Sequence, residues 1–221
     1  MDTAEPTATA TEILTLTQWF SPSYPIGAFA YSHGLEWAID CGQVHDAATT
    51  KDWISDVLSF GSGRSDAIAL QYSFTLGDLA DVIALDRKIR ALSPSAERLK
   101  ETDLQGKAFA SVTNLLTGID LPDLTYPVVV GQAARLANLP AMLTAQFFLH
   151  AFVSNLATAA MRRVPIGQSD GQRIIRDLTP DCTEIAAWTS HAEFKDIATS
   201  AFLSDIASMK HESQYSRIFR T

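Results

Sequence analysis

A serine, a histidine and a glutamate lie close together near the start of the chain, in the stretch SPSYPIGAFAYSHGLE at residues 21–36. Ser32, His33 and Glu36 offer a hydroxyl, an imidazole and a carboxylate, the groups that a hydrolytic triad uses. Adjacent residues of a helix point about 100° apart, so Ser32 and His33 cannot readily pair, whereas His33 and Glu36 can meet at i, i+3. We therefore expect a helix cap with an orienting His33–Glu36 pair. A small helical hydrolase using His33 and Glu36 is an alternative.

Three other groups of residues begin like nucleotide or metal motifs and then depart from them. Residues 61–64 (GSGR) open like a phosphate loop, but the pattern G-x-x-x-x-G-K-[ST] is absent and an aspartate replaces the last glycine of the dinucleotide pattern. His211 opens an H-E-x-x-H pattern whose fifth residue is Tyr215, which removes one metal ligand. Cys41 and His45 have the i, i+4 spacing of two metal ligands on one helix face. The glycine between them is expected to end the helix, so the two side chains should not share a face. We expect no catalytic residue, no bound cofactor and no metal site.

The composition is that of an acidic globular protein. The 221 residues carry a formal net charge of −8, with 47% hydrophobic and 19% charged residues. Because affinity for nucleic acids comes mainly from Lys and Arg on phosphates, this charge opposes nucleic-acid binding, and it also opposes adsorption to an anionic membrane. Cys41 and Cys182 are predicted to be reduced thiols in the core, and we expect a cytoplasmic protein.

Helical periodicity runs through most of the chain and predicts a single all-α domain without a sheet. Residues 1–12 are acidic and rich in small residues, lack a signal-peptide pattern, and predict a disordered arm. The helical domain then spans residues 13–210, and residues 211–221 form a tail. The segment YPVVVGQAARLAN at residues 126–138 fits either a strand, by its valines, or a helix, by its spacing.

Caps and breakers divide the first half of the chain. Thr11 and Thr50 are candidate N-caps, and Pro22 and Pro25 interrupt the first helix with a turn. A second helix is predicted from near Ser32 to Gly42. Further on, residues 65–91 should hold one or two helices broken near a glycine at position 77, and a proline at position 94 should precede the next helix.

The stretch PAMLTAQFFLHAFVSNLATAAMRR at residues 140–163 is apolar nearly all round. This pattern predicts a central helix buried on all sides, or a helix at a dimer interface. A membrane span is an alternative, because about 20 apolar residues suffice to cross a bilayer. Gln146, His150, Ser154 and Asn155 interrupt the stretch and oppose that alternative, since polar groups inside a membrane are costly.

Two segments carry residue types that are enriched at protein interfaces. The first is 21–36, which prolines stiffen and which we expect to display Tyr24, Phe29 and Tyr31. The second is the tail, which is aromatic and basic on an acidic protein. The alternative is that both segments pack on the chain's own core.

Three motifs in order make the chain resemble the urease accessory protein UreF family. They are LTQWFSPSYPIGAFAYSHGLE at residues 16–36, RRVPIGQSDGQRII at 162–175 and MKHESQYSRIFRT at 209–221. The resemblance covers nearly the whole chain after residue 12. It implies an all-helical homodimer that is not an enzyme. Such a protein binds the accessory protein UreD (also called UreH), recruits the GTPase UreG, and promotes nickel insertion into apo-urease.

The resemblance also suggests which residues contact these partners. It implies no resident cofactor, because nickel is the cargo of the complex and is not assigned to this protein. Pro22 and Pro25 would lower the ordering cost of a contact surface on which Tyr24 and Tyr31 are anchors. The complete set of predicted partner-binding residues is Pro22, Tyr24, Pro25, Tyr31, His33, Glu36, Arg162, Gln168, Gln172, His211, Glu212, Tyr215, Arg217, Phe219 and Arg220. Within it, Tyr215, Arg217, Phe219 and Arg220 would bind UreD.

Overall fold

A computed structural model describes residues 8–220, and this part of the chain forms helices and loops without a strand. The prediction of a single all-α domain without a sheet is confirmed. Two short 3-10 helices occur at Ala28–Ala30 and Phe194–Asp196. The α-helices of the described residues are α1 (Ala10–Trp19), α2 (Leu35–Asp40), α3 (Ala47–Phe60), α4 (Ser62–Thr75), α5 (Leu79–Ala91), α6 (Ala96–Thr117), α7 (Tyr126–Leu136), α8 (Ala141–Ala160), α9 (Gln168–Thr189) and α10 (Phe202–His211).

Helix α1 begins earlier than the sequence suggested. Its N-cap is Thr9, whose side chain accepts the backbone N–H of Glu12 while the Glu12 carboxylate accepts the backbone N–H of Thr9. This reciprocal capping box fixes the helix start, so Thr11 is not the cap. The predicted disordered arm therefore needs a new boundary, because residues 10–12 are helical. Residues 1–7 lie outside the described part of the chain.

Helix α3 also begins before its predicted cap. Asp46 is the N-cap and accepts the backbone N–H of Thr49 at 2.8 Å. Thr50 lies within the first turn, where its hydroxyl donates to the backbone oxygen of Asp46. Thr50 as the cap was wrong because an aspartate four residues earlier takes the same role.

Helix α2 is shorter than predicted because its approach is left-handed. His33 and Gly34 have φ values of 55° and 76°, so the helix starts only at Leu35. A Cβ atom on Gly34 would lie 2.7 Å from the backbone nitrogen of Ser208, which shows how closely α10 packs here. The predicted end is better placed, since Gly42 follows α2 with a φ of 78°.

Helices α4 and α7 pack closely against each other in the core. A Cβ atom on Gly131 of α7 would lie 2.2 Å from the backbone oxygen of Leu70 in α4, so glycine permits this approach. The segment that allowed both a strand and a helix is thus helical, with Pro127 in its first turn. The predicted breaks at positions 77 and 94 lie between helices, as expected.

Helix α8 is central, and it packs against α3, α4, α7 and α9. Leu149, Val153 and Leu156 are fully buried, but His150 and Thr158 are exposed on another side. Burial on all sides was therefore wrong: one side of α8 meets the core and the other is open. Among residues 8–220, no helix combines the length and the apolarity that crossing a bilayer requires.

A second, smaller apolar cluster joins α2, α3, the end of α8, α10 and the tail. Leu35, Trp53 and Val164 belong to it, and Phe219 of the tail is buried among them. The tail is therefore part of the folded body at this point. Cys182 is buried as predicted, whereas Cys41 is exposed, and both are free thiols.

Candidate partner-binding site

The site is built around Glu36, whose side chain is fully buried at the start of α2. Its carboxylate accepts the backbone N–H groups of Ile218 and Phe219, each at 2.9 Å, and the Nε2 atom of His211 lies 3.2 Å away. Arg163 lies 3.5 Å from its other oxygen. Burial alone would raise the pKa of Glu36, but these N–H groups and Arg163 outweigh it and lower the pKa. Glu36 is thus an ionised anchor for the tail.

His211 closes the site from α10. Its Nδ1 atom lies 2.7 Å from Oε2 of Glu97 on α6, and the side chain is completely buried. Arg217 pairs with the second oxygen of Glu97 and also donates to the backbone oxygen of His211. Two carboxylates from two different helices therefore hold one imidazole and the beginning of the tail.

The rest of the tail is fixed by polar contacts on its inner side. Glu212 accepts the free backbone N–H of Ala96 at 2.8 Å and so caps the start of α6. The backbone N–H of Arg220 donates to Ala30 at 2.7 Å, and the Arg220 side chain bonds the hydroxyl of Tyr31. These contacts join the tail to α6 and to the segment before α2.

The outer side of the same region is apolar and open. Tyr215 is fully exposed and Ile218 is 61% exposed. On the neighbouring helix α10, Phe202, Leu203, Ile206 and Met209 are all exposed. An amphipathic segment with an anchored inner side and an uncovered aromatic side is typical of a contact surface.

His33 belongs to a different network from Glu36, which corrects the predicted His33–Glu36 pair. Its Nε2 atom lies 3.0 Å from Glu101 and 3.2 Å from a guanidinium nitrogen of Arg98, and its Nδ1 atom lies 3.2 Å from the hydroxyl of Ser62. The left-handed backbone at His33 turns the ring away from α2. The predicted cap is also displaced: Gly34 is the N-cap of α2, while the hydroxyl of Ser32, two residues earlier, accepts the backbone N–H of Glu36 at 3.3 Å.

The Ser62, His33 and Glu101 side chains form a hydroxyl–imidazole–carboxylate row, in which Glu101 takes the place that the sequence assigned to Glu36. The Nε2 atom of His33 faces both the carboxylate of Glu101, which can only accept a hydrogen bond, and the guanidinium of Arg98, which can only donate one, so the two contacts compete for the same ring nitrogen. Burial, with the positive charge of Arg98, also lowers the pKa of His33.

Asp66 completes this network, and burial raises its pKa to about 7 despite Arg98, which lies 3.6 Å away. Two cavities of about 300 Å³ and about 540 Å³ flank the network, and both are lined by His33, Asp66, Arg98 and Thr102. Aromatic side chains, among them Trp19, Phe20 and Phe148, line part of the larger cavity. A buried charged partition therefore separates two cavities.

The other predicted site residues divide into exposed and buried groups. The expectation that Tyr24 and Tyr31 are displayed was wrong: Tyr24 is 6% exposed and bonds Thr113, and Tyr31 is 3% exposed. Phe29 is displayed as expected. Like these tyrosines, His33, Glu36, His211 and Phe219 are buried, whereas the exposed members are Pro22, Pro25, Arg162, Gln168, Gln172, Glu212, Tyr215, Arg217 and Arg220.

The structure thus brings parts of all three sequence motifs together. Tyr31 and Glu36 of the first motif meet the tail, and Arg162 of the loop after α8 lies over the ring of Phe219 at 5.8 Å. Tyr24 packs elsewhere, on Phe109. The sequence left open whether the tail and segment 21–36 pack on the chain's own core. The buried residues of both segments do so.

Sequence reasoning missed the residues of α6 that complete both networks. Glu97, Arg98 and Glu101 share the first turns of that helix. The i, i+3 spacing of Arg98 and Glu101 was visible, but it is also typical of a solvated helix surface. Residues 8–220 contain no group of three or more His, Cys, Asp or Glu side chains placed to hold a metal ion.

Comparisons with known proteins agree on one family. A family model described as UreF matches residues 44–179. The urease accessory protein UreF of Ruegeria pomeroyi is 52% identical over 97% of this chain and 99% of its own length. The protein of the same name from Cereibacter sphaeroides is 50% identical over 95% and 98%, and that from Roseobacter denitrificans is 47% identical over 94% and 93%.

Proposed function

Because the chain belongs to the UreF family of urease accessory proteins and so has a role in urease maturation, we propose that it bridges UreD and UreG. In this proposal, the chain binds UreD (also called UreH), recruits the GTPase UreG, and the complex promotes nickel insertion into apo-urease in the cytoplasm. The chain is an accessory protein and not an enzyme, as its relatives are named. Its resemblance to the family, expected from the three motifs, is confirmed.

The observation that carries the proposal is the two-sided tail. Its inner side is anchored by the buried carboxylate of Glu36, while Tyr215 and the neighbouring residues of α10 present apolar side chains to solvent. An anchored segment loses little entropy when a partner covers it, so its exposed aromatics suit tight binding. We assign this face to UreD.

The open side of α8 is the second surface in the proposal. Phe147, Ala151 and Ser154 are half-buried there, beside the exposed His150. A central helix with one uncovered apolar side suits contact with a second copy of the chain, and we assign it to a homodimer. UreG would then bind a dimer whose two tails each hold one UreD.

The test is the native mass of the purified chain, alone and mixed with UreD and with GTP-loaded UreG. We expect a dimer that gains two copies of UreD and then accepts UreG. A chain that stays unchanged in the presence of both proteins would overturn the bridging role. The alternative of a scaffold unrelated to urease is not retained, because the relatives match nearly the whole chain.

A further inference from the structure

Two long stretches of the sequence are free of charged residues. Residues 13–35 and 136–161 contain no Asp, Glu, Lys or Arg, although the whole chain holds 25 acidic and 17 basic residues and has a net charge of −8. The fold brings these stretches together, because α1 and the 3-10 helix Ala28–Ala30 both pack against α8. The ring centroid of Phe20 lies 6.4 Å from that of Phe147. The two stretches form a single uncharged face around the mouth of the larger cavity.

Phe29 projects from this uncharged face, and its side chain is 64% exposed. We propose that Phe29 of each copy enters the larger cavity of the other copy in the homodimer, so that the two copies close each other's cavities. This inference rests on the proposed homodimer and adds to it the residue and the cavity that hold the two copies together. The cavity is then a closed site only in the dimer.

The backbone that carries Phe29 is fixed on both sides of the ring. Arg162 donates a hydrogen bond to the backbone oxygen of Phe29 at 3.3 Å. The next backbone oxygen, of Ala30, accepts the N–H of Arg220 at 2.7 Å. An exposed ring on a fixed backbone loses little conformational entropy when a partner covers it, so Phe29 is suited to insertion.

The larger cavity has the size and the lining to receive this ring. Its volume of about 540 Å³ lies in the range of cavities that hold drug-sized molecules, so one phenyl group fits. Trp19 and Phe148 provide aromatic walls, and aromatic rings attract each other edge to face and in offset stacks. Arg98 and Glu101 also line the cavity, but they are buried and paired with each other.

Charge and symmetry both favour a second copy as the occupant. Two molecules with a net charge of −8 repel each other, and the repulsion is smallest where they meet through faces without carboxylates. A strongly basic partner would instead be attracted to the carboxylates on the rest of the surface. The uncharged face also carries both a projecting ring and a cavity. In a two-fold dimer each copy offers this same face to the other, so two equivalent insertions form together.

The first test is the dissociation constant of the dimer, measured by sedimentation equilibrium on the full chain. An aromatic anchor contributes about 30-fold in affinity and the dimer holds two, so Phe29→Ala should raise the constant by at least about 30-fold. Phe60→Ala is the matched control, because Phe60 is also exposed but does not line the cavity, and it should leave the constant unchanged.

The outcomes of this test separate the insertion from the proposed homodimer. A dimer whose dissociation constant is unchanged by Phe29→Ala would overturn the insertion and leave the homodimer standing. A chain that stays monomeric at every concentration would overturn both.

Ala151→Trp is the complementary change, because Ala151 lines the cavity from α8 and a bulky side chain there occupies the space. Alone, this variant should also dimerise poorly. Mixed with Phe29→Ala it should form a mixed dimer more tightly than either variant pairs with itself. In the mixed dimer the remaining Phe29 enters the remaining open cavity, and the filled cavity faces the truncated side chain. Variants with unchanged circular dichroism that show no preference for each other would overturn the insertion.

Salt provides an independent readout, because an uncharged interface between acidic molecules is opposed only by long-range repulsion. Raising sodium chloride from about 0.05 M to about 0.5 M screens that repulsion, so the dissociation constant of the dimer should fall. A dissociation constant that rises with salt would mean that ion pairs hold the copies together, which would place the interface away from the uncharged face and overturn the insertion.

Discussion

The Nε2 atom of His211 and the Oε2 atom of Glu36 lie 3.2 Å apart, although 175 residues separate them in the sequence. Both side chains are completely buried. Through this contact the beginning of α2 and the end of α10 hold the tail in place. The consequences for docking, stability and partner binding can be measured separately.

Acid should release the tail through Glu36. The folded protein holds the pKa of Glu36 below its usual value of 4.5, because the tail N–H groups and Arg163 favour the ionised form. The stabilisation of docking is therefore present above pH 4.5 and is lost as the pH falls through the pKa of the folded state. We expect the protection of the Ile218 amide to be lost as the pH falls through the lowered pKa of Glu36. In Glu36→Gln the tail should dock weakly at every pH. Amide exchange of this variant should therefore lack the acid limb, which is the loss of Ile218 protection at low pH.

Glu12→Gln is the matched control, because Glu12 caps the distant helix α1. It removes a carboxylate without touching the tail, so its acid limb should equal that of the unmodified chain. An acid limb that survives Glu36→Gln would show that another group anchors the tail.

Phe219→Ala should detach the tail while the helical body remains folded. The ring is buried in the apolar cluster with Leu35 and Trp53, and truncating such a ring costs about 3 kcal/mol. We expect unchanged far-ultraviolet circular dichroism and faster exchange at Ile218. Ile218→Ala, at the exposed neighbouring position, should cost less than about 0.5 kcal/mol. Equal effects of the two variants would contradict the packing described here.

Tyr215→Ala should weaken binding of UreD without changing the fold. The side chain is fully exposed, so its loss leaves the body intact, and an aromatic hot spot contributes about 2 kcal/mol, or about 30-fold in affinity. Titration calorimetry with purified UreD measures the change. Leu115→Ala, at the exposed end of α6, serves as the control and should bind normally. Full affinity of Tyr215→Ala would remove the tail from the UreD interface.

Asp66 should make the protein less stable as the pH rises. Its pKa is raised from 3.8 to about 7, so stability is fully present below 3.8, declines as the pH approaches 7, and is constant above it. The decline is at most about 4 kcal/mol, since each pH unit between the two values corresponds to about 1.4 kcal/mol. Urea unfolding of Asp66→Asn between pH 4 and pH 8 should lack this contribution.

The exposed Asp120 gives the comparison for that experiment, because Asp120→Asn should leave the pH profile unchanged. The difference between the pH profiles of unfolding stability of the unmodified chain and Asp66→Asn gives the contribution of Asp66. It removes the contribution of the neighbouring His33, which both proteins share. A difference that is constant between pH 4 and pH 8 would mean that Asp66 ionises at an ordinary pH.

Local patterns in the sequence were enough to predict most helices, whereas the buried ionic networks were not predictable. The apolar run of α8 and the breaks at prolines and glycines act within a few residues, so they are visible in the sequence. The cap of α1 was placed two residues late because Thr9 and Thr11 are chemically alike, and only the reciprocal bond with Glu12 distinguishes them. The open side of α8 was not predictable in this way, because it depends on where α3, α4, α7 and α9 pack and not on the composition of α8 itself.

The candidate site depends on contacts across the chain. His33 and Glu36 have the spacing of a helical pair, but a left-handed backbone at His33 sends them to different partners. Glu97 and His211 are 114 residues apart, and no periodicity relates such positions. Tyr24 and Tyr31 carry the composition of an interface, yet a tyrosine hydroxyl with an internal partner is equally suited to a core.

The contact between Glu36 and His211 also sets an order of events during synthesis. A ribosome adds about 5–20 residues per second, so Glu36 is made on the order of ten to thirty seconds before the 175 residues that separate it from His211 are complete. Until then the apolar cluster around Leu35 lacks Phe219, and the start of α6 lacks the cap from Glu212. The helical body can therefore assemble while the chain is still growing, but the tail can dock on it only after translation has passed residue 219.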